Sequence, residues 1–125
     1  MKILNLIIKQ KYFDAIMQGR KVQEFREVRP TTIKKYLEID EEGFEKEDEN
    51  GNSIPIIYDA IRFYVGYNKD RDSALVEIKD AYCEMFKNDK GELIEYEYDG
   101  QLWYAEQVVY NLGRIIEYSI QGKSK

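Results

Sequence analysis

The 125 residues contain no histidine. That gap removes Ser-His-Asp and Cys-His catalysis, along with the imidazole ligands on which many zinc sites depend. Cysteine is nearly missing too. Cys83 stands alone, which excludes an internal disulfide and fits a reducing cytoplasm. With one thiol and the carboxylates as the only strong ligands left, neither a metal nor a cofactor is expected. Any chemistry must run on Lys, Glu, Asp, Tyr or Arg. No apolar run approaches the roughly 20 residues that a membrane-spanning helix needs, so no membrane partner is expected. The apolar start, Met1 to Lys9, is broken by Asn5 and has no small-residue cleavage site after it. It reads as a first strand and not as a signal peptide.

What is present suits one globular domain over 1–125, since 43% hydrophobic residues at this length can bury a real core. The net charge of −5 hides a segregation. Eight acids (Glu38, Asp40, Glu41, Glu42, Glu45, Glu47, Asp48, Glu49) lie between Glu38 and Asn50 against Lys46 alone. Outside that segment 18 bases face 16 acids, and in residues 1–35 nine bases meet only Asp14, Glu24 and Glu27. The chain therefore pairs a basic N-terminal part with an acidic insertion over 38–52, a loop or a hairpin folded about Gly43 or Asn50-Gly51. One reading is a solvated acidic loop. The other is a basic cleft for an anion or nucleic acid, with the acidic loop as lid or competitor.

One stretch gathers chemistry. Tyr12, Phe13, Ile16 and Met17 fall at helical spacing, and Gly19 sits where a helix C-terminus favours positive φ. Arg20, Lys21, Glu24 and Arg26 follow within seven residues, so a turn from helix to strand points them into a common volume. This Phe-x-x-Ile-x-x-Gly-x-Lys-x-x-Glu-x-Arg pattern resembles the signature of the ASCH domain, of the PUA-like superfamily. Val109 to Glu117 is similar to the closing strand of small ASCH proteins, so the two matches bracket nearly the whole chain. The resemblance implies a small closed β-barrel with flanking helices and a cleft beside the Gly-x-Lys turn.

In chain order, Ile3–Ile8 reads as a strand, then the helix, then a strand over 21–28 with Phe25 on one face and Val22 and Val28 on the other. Thr31 or Thr32 can cap a short helix over 33–37. The segment from Tyr58 to Tyr67 alternates as a half-buried strand, and 74–86 is long enough to need a bulge or bend near Asp80-Ala81. Leu93 to Tyr98, a hairpin at Asp99-Gly100, Leu102 to Tyr110 and a final short strand complete the chain, with 122–125 a frayed tail and no internal repeat. The fold expected is mainly β (α+β), a mostly antiparallel barrel with one or two short helices.

The ligand-binding set expected from this reading is Arg20, Lys21, Glu24, Arg26, Arg29 and Tyr67. Lys21 is either a solvated lysine or an anion contact held at the turn. Glu24 and Arg26 either form a structural ion pair or orient Lys21, and Arg20 and Arg29 lie at the rim. Tyrosines such as Tyr64 and Tyr67 are barrel residues or a stacking platform, Trp103 is core, and Cys83 is a small buried hydrophobe. Some small bacterial ASCH proteins remove the acetyl group from N4-acetylcytidine, and the resemblance would make Lys21 and Glu24 catalytic in such an amidohydrolase. Their nucleophilic threonine, three residues after the lysine, is Glu24 here, and the assisting glutamate is Glu77 or Glu106. The favoured expectation is a binding module for RNA or a nucleotide or nucleoside. The alternatives are that amidohydrolase, and an interaction domain using the acidic 38–50 segment.

Overall fold

The computed structural model describes residues 1–121 and the backbone of 123–124. The elements are β1 (Ile3–Ile8), α1 (Gln10–Met17), β2 (Gln23–Val28), α2 (Ile33–Tyr36), β3 (Ala60–Val65), β4 (Ser73–Met85), β5 (Glu95–Tyr98), β6 (Gln101–Tyr104), β7 (Glu106–Ile120) and β8 (Lys123–Ser124). The protein is mainly β with two helices, an α+β fold. The main sheet has the order β1-β3-β4-β7-β2, with β8 on β7, and β5-β6 forms a separate ribbon.

Barrel closure is the first correction. The sheet path ends at β1 and β2, which do not pair, so the sheet is open and mixed. The strand count was sound, but β5 and β6 pair with each other and leave the two edges unbridged. A second difference is the β1–β3 pair, which is parallel, with Ile3 opposite Ala60 and Ile8 opposite Val65. The remaining register is antiparallel where β3 meets β4, Ala60 facing Glu77.

By its contacts the chain divides into two compact units. The first comprises Met1–Glu24, Ile57–Asp80 and Tyr110–Lys125. Leu4, Leu6 and Ile8 alternate inward from β1, and Ala60, Ile61 and Phe63 from β3 are fully buried. The helix α1 adds Phe13, Ala15 and Ile16 and packs on β3. Burying such side chains contributes roughly 1.5–3 kcal/mol each. Tyr12, assigned to the apolar face by spacing, is exposed instead, and Met17 is half-buried.

The second unit comprises Phe25–Ile56 and Ala81–Val109. Its core holds Val28, Ile33, Tyr36, Leu37, Val108 and Val109, with Ser53 and Glu106 buried among the apolar groups. The short helix α2 starts at Thr32, whose hydroxyl accepts from Arg29 N at 3.1 Å and does not cap its own helix. The acidic insertion is not a loose loop. Asp40 Oδ1 accepts from the backbone N–H of Glu42 and Phe44, and Asp48 Oδ1 from those of Asn50 and Asn52. Asn88 repeats the device with Lys90 and Glu92. In each turn a glycine three residues on (Gly43, Gly51, Gly91) has φ between 80 and 91°. Each is framed by a bridge in the same register: Ile39↔Glu45, Glu47↔Ser53, Lys87↔Leu93. So a short repeat does exist, [Asp/Asn]-x-x-Gly, three times over. It is masked because only two positions of each turn are constrained.

The strand β4 is one element of 13 residues across Asp80-Ala81. Two boundaries differ from the sequence reading. A break falls at Ala105, and β7 then continues as one strand of 15 residues through Gly113. Gly122 and Lys125 of the expected frayed tail lie outside the described residues, while the backbone of Lys123–Ser124 pairs with β7.

Candidate functional site

The turn after α1 is built by the backbone before any side chain matters. Gly19 takes φ 76°, and the N–H groups of Arg20 and Lys21 both donate to Ala15 O, at 2.9 and 3.0 Å. A glycine in this conformation ends the helix while satisfying a carbonyl that would otherwise be orphaned. The chain then enters β2, and Leu112 N donates to Val22 O at 2.9 Å, fixing the turn against β7.

Lys21 is held at that point. Its ammonium donates to Gln23 O at 2.6 Å and pairs with Glu24 Oε1 at 3.1 Å. It also lies 5.7 Å from the centroid of the Tyr12 ring. The paired side chains are 19% and 6% exposed, so this is a largely desolvated pair and not a rim contact. A second chain of bonds braces it, since Gln23 Nε2 donates to Asn111 Oδ1 at 2.8 Å and Asn111 Nδ2 donates to Asp80.

Beside the turn lies a cavity of about 240 Å³. Gly19, Lys21 and Arg114 line its polar side, and Ile16, Val76 and Leu112 are among its apolar walls. Gly113 also lines it, and a side chain there would run into the Glu77 carboxyl, which accepts from Arg114 N at 3.4 Å. Glycine at 113 is thus the condition for Glu77 to lie across β7.

Of the expected binding residues, the structure brings Lys21 and Glu24 together. Arg20 is exposed and turned back, its Nε donating to Gln18 Oε1 at 2.8 Å. Tyr67 is 85% exposed in the turn after β3 and lines neither this cavity nor another described one. Arg26 and Arg29 belong to the second unit. Arg26 is half-buried on β2, while Arg29 pairs with Glu27 at 2.7 Å and sits 5.5 Å from the Tyr96 ring. On β2, Glu24 and Val28 are buried on one face and Phe25, 46% exposed, lies on the other, as the alternation implies, while Val22, just before the strand, is 61% exposed. Arg114, on the cavity wall, and Tyr12, beside the Lys21 ammonium, were not among the expected residues. The first stood in a motif read only as a closing strand, the second in a pattern read only as core.

The two candidate assisting glutamates separate cleanly. Glu77 is in the first unit, against Gly113. Glu106 is in the second, 3% exposed, with its Oε2 3.1 Å from Ser53 Oγ. Burial and the neighbouring Glu45 push the Glu106 carboxyl up to about 7. Burial, with Glu106 and Glu45 adding to it, pushes the Cys83 thiol up to about 12, so it remains protonated and a poor nucleophile. Among the described residues no group of three or more Cys, Asp and Glu could hold a metal ion, and no helix is long and apolar enough to cross a membrane.

Fold and site together define a small α+β protein with an open mixed sheet and a fixed lysine–carboxylate pair beside a cavity. Comparison with protein-family models, with curated proteins and with solved structures gives no match from which a family could be assigned.

Proposed function

We propose that the chain is an ASCH-like binding module that takes a nucleoside or nucleotide, free or within RNA, in the cavity beside Gly19-Arg20-Lys21. The observation that carries this is the fixing of the Lys21 ammonium at the cavity wall by the buried Glu24 carboxylate. An ammonium already oriented loses little further freedom on meeting an anionic or base-edge group. The exposed Arg114 adds a second cation on the same wall, and the apolar side suits a flat ring. At about 240 Å³ the cavity is smaller than pockets that engulf a drug-sized ligand, so it suits one base or one phosphate with the rest outside.

Glu24 is engaged by Lys21, which supports a positioning role over that of a nucleophile acting on N4-acetylcytidine. The decisive measurement is a calorimetric titration of the protein and of Lys21→Ala with a short single-stranded RNA and with cytidine monophosphate. The variant should bind roughly tenfold or more weakly, in line with about 1.5–3 kcal/mol for a hydrogen bond to a charged group, while its circular dichroism is unchanged. Equal affinity of the two proteins would remove the reading.

A further inference from the structure

The second unit has a pocket of its own, about 280 Å³, lined among others by Phe44, Glu45, Leu102, Trp103, Tyr104 and Glu106. Its rim is apolar yet open to water, with Leu102 70%, Phe44 67% and Tyr104 49% exposed. Its floor is the reverse, a carboxyl group 3% exposed. Among the described residues no lysine or arginine lines it.

Three observations describe what would complete it. First, Ser53 Oγ lies 2.8 Å from Glu45 Oε2 and 3.1 Å from Glu106 Oε2. One hydroxyl has one proton and can donate to only one of them, so the cluster needs a proton on a carboxyl group to satisfy the other contact. The pair thus holds a proton where a bound cation could replace it. Second, Glu47 lines the pocket as well, so the ionisable side chains on its wall are all acids. The other titratable groups near the pocket are Tyr104 on the wall and Cys83 and Tyr96 within electrostatic reach, the last two with their neutral forms favoured by burial, and Arg29 stands over Tyr96. Third, the indole N–H of Trp103 is buried and donates to nothing. A buried donor left unmet is costly, so a ligand with an oxygen acceptor there relieves part of that cost.

We infer that this pocket binds a small hydroxylated amine of amino-sugar size, its ammonium on Glu45 and Glu106 and an oxygen accepting from Trp103 Nε1. Aromatic walls favour both parts. The faces of Phe44, Trp103 and Tyr104 attract a cation through their quadrupoles and pack against an apolar ring face. A neutral apolar guest would leave the carboxyl proton where it is and the indole unmet. An anion would meet only acids.

Trp103 is the only tryptophan, so its indole resonance reports on this pocket without ambiguity. The probe is glucosamine, titrated at pH 7 with the indole N–H followed by two-dimensional NMR. A saturable shift is expected, with N-acetylglucosamine, which keeps the ring and loses the charge, binding about tenfold or more weakly. Cyclohexylamine, which keeps the charge and loses the oxygens, should also bind more weakly and leave the indole proton unmoved. Glu106→Gln, near-identical in shape, should weaken glucosamine about tenfold while the other resonances stay in place. No saturable response to glucosamine, or one that survives N-acetylation or Glu106→Gln unchanged, overturns the inference. An equal response to cyclohexylamine overturns the role given to the indole.

Discussion

Glu106 couples the second unit to pH. Its carboxyl group titrates near 7 when folded and near the ordinary 4.5 when unfolded. Between those values the folded chain retains a proton that the unfolded chain has released, so raising the pH favours unfolding. The contribution is complete below about 4.5 and is lost as the pH climbs through about 7. Urea unfolding at pH 5 and pH 8 should therefore show the native protein losing more stability on alkalinisation than Glu106→Gln does. Parallel curves for the two would refute the buried carboxyl acid. The meeting of charges at Lys21 was legible because Gln23 and Glu24, which bind its ammonium, lie within three residues of it. The Glu45–Ser53–Glu106 cluster was not, because Ser53 and Glu106 are 53 positions apart and nothing local marks them as neighbours.

Among the elements, the three [Asp/Asn]-x-x-Gly turns share one mechanism and should share one cost. Replacing Asp40, Asp48 or Asn88 by Ala removes two accepted backbone hydrogen bonds at an exposed site, for about 1 kcal/mol each. Gly51→Ala should cost about the same for a different reason, since φ 80° penalises a side chain although no atom lies within 4 Å of the added carbon. Urea midpoints of the four variants test this, and an unaltered midpoint for Asp48→Ala would show that its turn forms without the side chain. The helix, its glycine stop and the Asp99-Gly100 hairpin were readable because each is a local device. Asp99 at φ 49° and Gly100 at φ 79° are the conformations that such a dipeptide favours. That Phe25 and Val28 fall on opposite faces of β2 was readable from alternation, but that the charged Glu24 is buried beside Val28 was not.

At the scale of the molecule, composition established a mainly β chain and the strand count, but pairing could not be read from either. The sequence has nothing to say that Ile3–Ile8 will lie beside Ala60–Val65, because parallel partners are brought together by tertiary packing and not by a turn. The charge segregation was legible in outline, and its consequence was not. Asp40 and Asp48 are turn-formers and Glu45 belongs to a buried cluster, so part of the acidic insertion is structural.

The parallel β1–β3 partnership also sets a timetable. The hairpins framed at Asp40, Asp48, Asn88 and Asp99 close loops of a few residues, whereas β1 waits on a segment 57 positions further along the chain. On a ribosome, the first strand emerges long before its neighbour exists and must stay unpaired, apolar and exposed until residue 65 has cleared the exit tunnel. Pulse-labelling of amides during refolding should accordingly protect Tyr98 and Phe44 ahead of Leu6. The order reversed would mean that the N-terminal segment finds shelter elsewhere in the meantime.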